Sequence, residues 1–218
     1  MVREALLEIE GLTVNYYTIF GTVNALDEVD LTIGDNEIFG VVGESGCGKT
    51  TLALSVLRLL PPAGRIVKGR IIYKGIDLCS LPQEEMRKIR GKEISMIFQD
   101  PNTALNPIFK IGEQIADVIL AHQDVSKEEA YEIAAERLGE VGIPDPRDTM
   151  NRYPHELSGG MKQRVMIAMA LSSSPKLLIA DEPTTNLDVT IQAQVLDLLR
   201  KLVRKHGISI MLITHNQG

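Results

Sequence analysis

The segment GESGCGKT at residues 43–50 decides the fold of this chain, because it is a complete phosphate-binding P-loop. The pattern G-x-x-x-x-G-K-[ST] is met by Gly43, Gly48, Lys49 and Thr50. Glycines let such a loop curl, so that backbone N–H groups and the positive end of the following helix face phosphate oxygens. The segment therefore predicts a nucleoside triphosphate site.

The flanking sequence supplies the context that a P-loop requires. The apolar run EIFGVVG at 37–43 predicts a short buried strand before the loop. Apolar residues spaced along 48–60 predict a helix after it, stopped by Pro61 and Pro62. This order of strand, loop and helix favours a ligand-binding loop over a glycine-rich turn without a ligand.

The rest of the chain alternates between strand and helix patterns. Strands are predicted at 6–14, 23–33, 65–73, 93–98, 176–181 and 208–213, and helices at 83–90, 111–121, 126–141, 158–172 and 189–205. These patterns predict an α/β fold with a mostly parallel sheet covered on both faces. Together with the P-loop, they resemble the core of P-loop NTPases (RecA-like). We expect one domain, 1–218, in which an antiparallel β subdomain belongs to the core (1–100 and 162–218) and 101–161 form an inserted α-helical subdomain.

Composition and charge exclude several classes of protein. The chain has 218 residues, 44% of them hydrophobic, and a net charge of −6, so a general attraction to nucleic acid is not expected. The basic residues at 200–205 alternate with apolar ones on one helix and predict a solvated face. Cys47 and Cys79 have no metal or redox spacing. Without a long apolar run or a signal-peptide pattern, the chain is expected to reach a membrane only through a partner.

The P-loop residues have separable expected roles toward ATP and Mg²⁺. Lys49 is expected to reach the β- and γ-phosphates, and the Thr50 hydroxyl to bind Mg²⁺. The remaining nucleotide-binding candidates of this loop and the first helical turn are Gly43, Glu44, Ser45, Gly46, Cys47, Gly48 and Thr51.

Two acids follow an apolar strand pattern in LLIADE at 177–182. Ligands collect at the carboxyl ends of parallel strands, so Asp181 is expected beside the P-loop, where it would hold Mg²⁺. Without the P-loop upstream, a solvated pair of acids at a strand end would be an equal interpretation.

A second candidate anion site lies in LSGGM at 157–161, where a helix is predicted to begin. The Ser158 hydroxyl and the N–H groups of Gly159 and Gly160 would face an anion there, as in the P-loop. Simple capping of the helix by Ser158 is the alternative, and the two interpretations are compatible.

Taken together, these motifs resemble the ATP-binding-cassette (ABC) ATPases over essentially the whole chain. The segments IFQDPNTALNP at 97–107, YPHELSGGMKQRVMIAMAL at 153–171 and DEPTTNLDVTIQAQ at 181–194 are similar to the ATPase subunits of oligopeptide, dipeptide and nickel importers. Met161 stands where many relatives carry glutamine, a departure common in this branch.

The resemblance implies roles for several further residues. Glu182 would polarise the attacking water, Gln99 would contact the metal and that water, and His215 would contact the γ-phosphate. Tyr16 would stack on adenine, with Tyr17 as the alternative. The site at Ser158, Gly159 and Gly160 would contact ATP held by an opposite subunit, and the loop 186–188 would cross the same interface.

The resemblance also implies an ATPase that works in an assembly at the cytoplasmic face of the membrane. Its expected partners are a second ABC ATPase subunit in a head-to-tail dimer, two transmembrane permease subunits and, indirectly, an extracytoplasmic substrate-binding protein. A soluble, non-transport ABC ATPase and an ATP-binding module with little turnover remain alternatives. Motif texture favours peptide as the transported substrate, and nickel stays open.

The end of the sequence departs from the family pattern. The chain stops three residues after His215, Asn216 stands where relatives usually have aspartate, and the family's C-terminal segment does not follow. A frayed terminus would position His215 poorly. We therefore expect ATP binding to survive and hydrolysis to be weak.

Overall fold

The computed structural model describes residues 5–185 and 187–215 of the chain. The strands are β1 (Ala5–Thr18), β2 (Gly21–Gly34), β3 (Ile38–Val42), β4 (Gly64–Tyr73), β5 (Ile76–Asp77), β6 (Ile94–Ile97), β7 (Leu177–Asp181) and β8 (Ser209–Thr214). The helices are α1 (Lys49–Val56), α2 (Gln83–Ile89), α3 (Pro101–Ala104), α4 (Ile111–His122), α5 (Lys127–Glu140), α6 (Pro146–Thr149), α7 (Gly159–Leu171) and α8 (Val189–His206).

The strands form an antiparallel and a parallel sheet of four strands each. The antiparallel sheet has the order β2-β1-β4-β5, and the parallel sheet has the order β3-β8-β7-β6. The predicted α/β fold, with a parallel core and an antiparallel unit, is therefore confirmed. Because β3, β8, β7 and β6 all run in the same direction, their carboxyl ends lie along one edge of the parallel sheet.

The parallel sheet is covered on both of its faces, as predicted. Leu177 and Ile179 of β7 join one apolar cluster, which α1 and the antiparallel sheet also build. Leu178 and Ala180 of the same strand join a second cluster, built with α4, α5, α7 and α8. The period of two along a strand places alternate side chains in the two clusters, so all of β7 is buried.

The strand before the P-loop is less buried than its sequence predicts. Within the described residues, β3 pairs only with β8 and forms an edge of the parallel sheet. Ile38 and Val42 of β3 are 41% and 47% exposed. The prediction of a buried strand was wrong here, because an apolar run cannot distinguish a central strand from an edge strand.

The helix after the P-loop ends well before the prolines that were expected to stop it. Helix α1 ends at Val56, and Arg58 adopts a left-handed backbone with a φ of 51°. The N–H of Leu59 donates to Leu54 O at 2.8 Å and that of Arg58 to Ser55 O at 3.0 Å, which is a Schellman-type end. The Arg58 guanidinium bonds to two carbonyl oxygens, of Leu78 at 3.0 Å and of Leu81 at 2.5 Å, and so offsets the cost of this conformation.

The segment between β6 and α7 is helical. Residues 101–154 are all described, and they contain α3, α4, α5 and α6 but no strand, as predicted. Helix α5 begins with a capping box, in which the Ser126 hydroxyl accepts from Glu129 N–H and the Glu129 carboxylate accepts from Ser126 N–H. The short helices α3 and α6, and the two-residue strand β5, were not predicted.

Candidate functional site

Four predicted site segments meet at the carboxyl-end edge of the parallel sheet. The P-loop follows β3, Gln99 follows β6, Asp181 ends β7 with Glu182 directly after it, and His215 follows β8. Parallel pairing aligns these ends, and Glu182 N–H bonds to Ile213 O of the neighbouring strand at 3.0 Å. The fold therefore collects residues that are up to 172 positions apart, from 43 to 215, at one site.

The glycines of the P-loop are required by its backbone path. Gly46 and Gly48 have φ values of 81° and 97°, in the left-handed region that glycine tolerates best. A Cβ on Gly48 would lie 2.5 Å from Ala25 O and 2.9 Å from the Leu26 side chain. Gly48 is thus needed both for its conformation and for the close approach of the loop to β2.

Lys49 lies against the loop that it belongs to. Its side chain is buried, and Nζ donates to Gly43 O at 2.8 Å and to Glu44 O at 2.6 Å. The Cys47 Sγ atom lies 3.8 Å from the same ammonium. The positive charge is therefore held inside the loop, where a phosphate group would be placed by the backbone N–H groups.

Thr50 and Asp181 form a pair of oxygen donors suited to Mg²⁺. Asp181 is 2% exposed, and burial raises the pKa of its carboxyl above the ordinary value. The charge of Glu182 acts in the same direction, and a hydrogen bond from Thr50 and the charge of Lys49 act against it. Its Oδ1 atom is buried without a hydrogen-bond partner among the described residues. Such an orphaned carboxylate oxygen fits a hard cation, which prefers oxygen ligands.

The protein supplies only part of such a magnesium shell. Within residues 5–185 and 187–215, no group of three or more His, Cys, Asp or Glu side chains could hold a metal ion. A bound Mg²⁺ would therefore take its other ligands from water and from phosphate oxygens, which is its usual behaviour.

The Glu182 carboxylate is the meeting point of three side chains. Its Oε2 atom accepts from Gln99 Nε2 at 2.8 Å and lies 3.3 Å from His215 Nδ1. The third contact comes from the Thr185 hydroxyl, which donates to Oε2 at 3.0 Å. The structure thus brings Gln99, Glu182 and His215 together, and it adds Thr185.

Sequence reasoning missed Thr185, although a signal was present. Pro183 follows Glu182 directly, and proline favours the second position of a turn. In the structure, Thr185 N–H donates to Glu182 O at 3.1 Å and closes that turn. In such a turn, a threonine three residues after the acid can donate its hydroxyl hydrogen to the acid's carboxylate.

Tyr16, and not Tyr17, contacts the P-loop helix. The Tyr16 hydroxyl lies 3.3 Å from Thr51 Oγ1 in the first turn of α1, and its ring packs beside Gly64. Tyr17 is 52% exposed, and its N–H donates to Ala63 O. Neighbouring residues of a strand face opposite sides, so only one of the two can face α1.

The glycine pair of the second motif lies beside the start of α8. Ser158 caps α7, with Met161 N–H donating to its hydroxyl at 3.3 Å. A Cβ on Gly159 would approach Leu187, and one on Gly160 would lie 3.3 Å from Ile191. The capping interpretation is therefore met. The predicted interface residue Asn186 lies outside the described residues, as does Asn216.

Comparison with known proteins identifies the relatives of this architecture. The sequence profile described as "ABC transporter" matches residues 26–185. The dipeptide transport ATP-binding protein DppD of Bacillus subtilis is 50% identical over 216 residues, which are 99% of this chain and 64% of that protein. The oligopeptide transport ATP-binding protein OppD of Escherichia coli is 47% identical over 213 residues, which are 98% of this chain and 63% of that protein.

Solved structures agree with the sequence relatives. A dimeric ATP-binding cassette, MJ0796, bound to ADP and phosphate, superposes with a TM-score of 0.85 at 29% identity, and the match covers 96% of this chain and 88% of that one. The cbiO1 subunit from Clostridium perfringens, part of the transporter complex cbiONQ, has a TM-score of 0.81 at 28% identity, with 97% and 79% covered. The chain spans about three fifths of the length of the curated relatives that it matches, 64% and 63% for the two named above.

Proposed function

Because the chain belongs to the ABC transporter family, we propose that it is the ATP-hydrolysing subunit of a peptide importer. The observation that carries the proposal is the Glu182 carboxylate, held by Gln99 and His215 beside the P-loop at one sheet edge. A nucleotide-binding module without turnover would have no need for an acid in this place. The names of the relatives, which are dipeptide and oligopeptide transport proteins, favour peptide as the transported substrate.

The geometry supports a division of labour between binding and chemistry. Backbone N–H groups of the P-loop would bind the phosphates of ATP, with Lys49 on the β- and γ-phosphates. Thr50 and Asp181 would hold Mg²⁺, which would neutralise charge on the phosphates, and Gln99 would contact the metal ion. Glu182 would orient and polarise the attacking water, and His215 would contact the γ-phosphate.

The second glycine motif supports a paired arrangement of subunits. Gly159 and Gly160 lie beside Leu187 and Ile191 at the start of α8, whereas the P-loop contacts Ala25 and Leu26 of β2. One nucleotide has no use for two separate anion sites in one chain. We therefore propose that Ser158 and its glycines face ATP held by a second ABC ATPase subunit, an arrangement that the dimeric state of the MJ0796 cassette favours.

A groove on the surface offers a place for a membrane subunit. It has a volume of about 280 Å³ and lies between β6, α4 and α7, with Leu59, Met96, Phe98, Val118 and Met169 in its lining. Phe98 is 42% exposed there, next to Gln99. In the described part of the chain, no helix combines the length and apolar character needed to cross a bilayer. We propose that a permease subunit inserts an apolar element here, beside the residue that contacts Glu182, with a substrate-binding protein acting on that permease.

The test of the proposal is Glu182→Gln, a change that keeps the shape of the side chain and removes its charge. We expect hydrolysis to fall by roughly 100-fold or more, because the polarising carboxylate is lost. ATP binding, measured with a fluorescent analogue, should remain, since Glu182 is not a P-loop ligand. Size-exclusion chromatography should then show an ATP-dependent dimer of the variant, and the unmodified protein should co-purify with permease subunits.

A matched control is Glu132→Gln, which changes an exposed acid that pairs with Arg147 on the surface. Its turnover should equal that of the unmodified protein. Hydrolysis by Glu182→Gln at the unmodified rate would contradict the catalytic assignment, and a variant that stays monomeric with ATP at high concentration would contradict the paired site.

A further inference from the structure

We propose that Thr185 is a positioning residue, which holds the Glu182 carboxylate in the orientation needed to polarise water. This inference rests on the proposed ATPase function and extends it to a residue of the segment 181–194 to which the resemblance assigned no role. The hydroxyl of Thr185 donates to Glu182 Oε2 at 3.0 Å. A hydrogen bond to a charged acceptor is among the stronger polar contacts in proteins, so it can fix the direction of a side chain.

The backbone of Glu182 makes such a support necessary. Its φ is 47°, in the left-handed region that a residue with a long side chain rarely adopts. Two backbone hydrogen bonds keep it there, since its N–H donates to Ile213 O and its carbonyl accepts from Thr185 N–H. These bonds fix the Cα position of Glu182 but leave its side-chain torsions open. Within this turn, the Thr185 hydroxyl donates a hydrogen bond to the carboxylate and so restrains the side-chain torsions of Glu182.

The other two contacts of the carboxylate come from distant and more exposed residues. Gln99 is exposed and lies 83 positions earlier in the chain, and the His215 side chain is 53% exposed. Both are expected to turn toward the metal or the γ-phosphate when nucleotide binds. Thr185 is half-buried and three residues from Glu182, so it can keep its contact when the other two leave.

The contacts also leave one carboxylate oxygen for the reaction. Across residues 5–185 and 187–215, the three contacts of the Glu182 side chain, with Gln99, Thr185 and His215, all end on Oε2. With Oε2 held by Thr185, Oε1 remains free to accept a hydrogen bond from water. Thr185 would therefore select which oxygen acts, without itself touching the nucleotide.

The test compares Thr185→Val, which removes the hydroxyl and keeps the branched shape, with Thr185→Ser, which keeps the hydroxyl. We expect Thr185→Val to lower kcat by about 10- to 100-fold, the range for losing a hydrogen bond to a charged group. The KM for ATP and the Kd of a fluorescent ATP analogue should not change. Thr185→Ser should stay within about threefold of the unmodified kcat. Thr185→Ala is the second hydroxyl-free variant, and Thr32→Val, at an exposed position of β2, is the control.

A double variant separates positioning from a merely structural role. If Thr185 acts through Glu182, the pair Glu182→Gln and Thr185→Val should hydrolyse ATP no more slowly than Glu182→Gln alone. A Thr185→Val protein with full turnover, or a Thr185→Ser protein as impaired as the valine variant, would overturn the Thr185 role and leave the proposed ATPase intact. Parallel loss of ATP binding and turnover in Thr185→Val would also overturn it. Full turnover by Glu182→Gln would instead overturn the proposed function, and the role of Thr185 with it.

Discussion

Backbone conformation at single residues sets the geometry of the site. Gly46, Gly48 and Glu182 all have positive φ values, and they lie in the two segments that face each other at the sheet edge. Glycine adopts this conformation at little cost, whereas glutamate at position 182 needs backbone hydrogen bonds on both sides. The backbone of the P-loop is therefore allowed by its glycines, whereas the backbone of Glu182 depends on hydrogen bonds with its neighbours.

Gly48→Ala tests the shape of the P-loop. We expect a loss of about 2 kcal/mol or more in the free energy of unfolding, because the new methyl group meets Ala25 O and strains a left-handed backbone. ATP binding should weaken in parallel, since the loop cannot keep its curl. Urea denaturation and binding of a fluorescent ATP analogue measure the two effects.

Gly40→Ala is the matched control for this change. A Cβ at Gly40 meets no atom within 4 Å, and Gly40 lies in β3 without a positive φ. Its stability should equal or exceed that of the unmodified protein. If Gly48→Ala proved as stable as Gly40→Ala, the described path of the loop would be contradicted.

The P-loop and the acids after β7 could be predicted as candidate site residues from local sequence patterns, and contacts beyond the motifs could not be predicted. Gln99 and His215 carry no local signal of their own, and their expected roles came from the resemblance to ABC ATPases. Thr185 lies within a motif, but its role depends on a turn and on one rotamer. A side-chain direction of that kind is decided by three-dimensional packing, which the sequence pattern does not contain.

At the scale of elements, the end of α1 shows how a tertiary contact replaces a sequence signal. The prolines at 61 and 62 are the conspicuous stop signal, yet the helix ends at Val56. Arg58 makes the left-handed turn there, and its guanidinium also reaches the carbonyl oxygens that follow β5. The Arg90 side chain adds bonds to Leu57 O and Arg58 O. Arginine thus stands where a helix end commonly has glycine.

The substitutions Arg58→Ala and Arg58→Gly separate the two effects. Arg58→Ala should lower the free energy of unfolding by about 2–3 kcal/mol, because it loses the guanidinium bonds and keeps the strained backbone. Arg58→Gly loses the same bonds but relieves the strain, so it should be about 1 kcal/mol more stable than the alanine variant. Guanidinium chloride denaturation measures both. The opposite order of stability would show that Arg58 does not carry the left-handed turn.

At the scale of the whole molecule, charged side chains join the end of α5 to the end of α8. Glu140 at the end of α5 contacts Arg137 on its own helix at 2.7 Å, and Lys205 and His206 at the end of α8 at 2.6 and 3.6 Å. Burial raises the pKa of Glu140, but hydrogen bonds from Lys205 and Arg137 outweigh it and hold the pKa below its ordinary value. Burial also lowers the pKa of His206, despite the nearby Glu140. Neutral His206 and ionised Glu140 are therefore the favoured forms in the folded protein.

Glu140→Gln should make stability less dependent on pH. Because the folded pKa of Glu140 is lowered, its contribution is present above the ordinary glutamate pKa of about 4.3 and is lost as the pH falls below it. We expect the variant to be about 1–2 kcal/mol less stable than the unmodified protein at pH 7, and the difference to shrink in acid. Urea denaturation at a series of pH values measures this.

The surface pair of Glu132 and Arg147 supplies the comparison at this scale. Its side chains are 58% and 76% exposed, so Glu132→Gln should change stability by about 0.5 kcal/mol or less at every pH. A Glu140→Gln variant whose loss of stability did not shrink in acid would contradict the assigned ion cluster.

The sheets and the helical segment could be predicted from the sequence, but the exposure of the edge strand β3 could not. Alternating strand and helix patterns were sufficient for the parallel sheet, the antiparallel sheet and the helical segment 101–154, because each pattern is local. The exposure of Ile38 and Val42 in β3 could not be predicted, since the position of a strand within a sheet depends on long-range pairing. The division of the chain into a core and a helical subdomain stays a prediction.

The contacts of Lys49 have a consequence for how nucleotide is captured. Its ammonium donates hydrogen bonds to two carbonyl oxygens of its own loop. These oxygens therefore compete with the phosphates of ATP for the lysine. For a triphosphate to bind Lys49, the hydrogen bonds from its ammonium to those two carbonyl oxygens have to break. Breaking them reduces the net free energy of binding. The apparent affinity for ATP is then the intrinsic affinity multiplied by the fraction of molecules in which Lys49 has left those carbonyl oxygens.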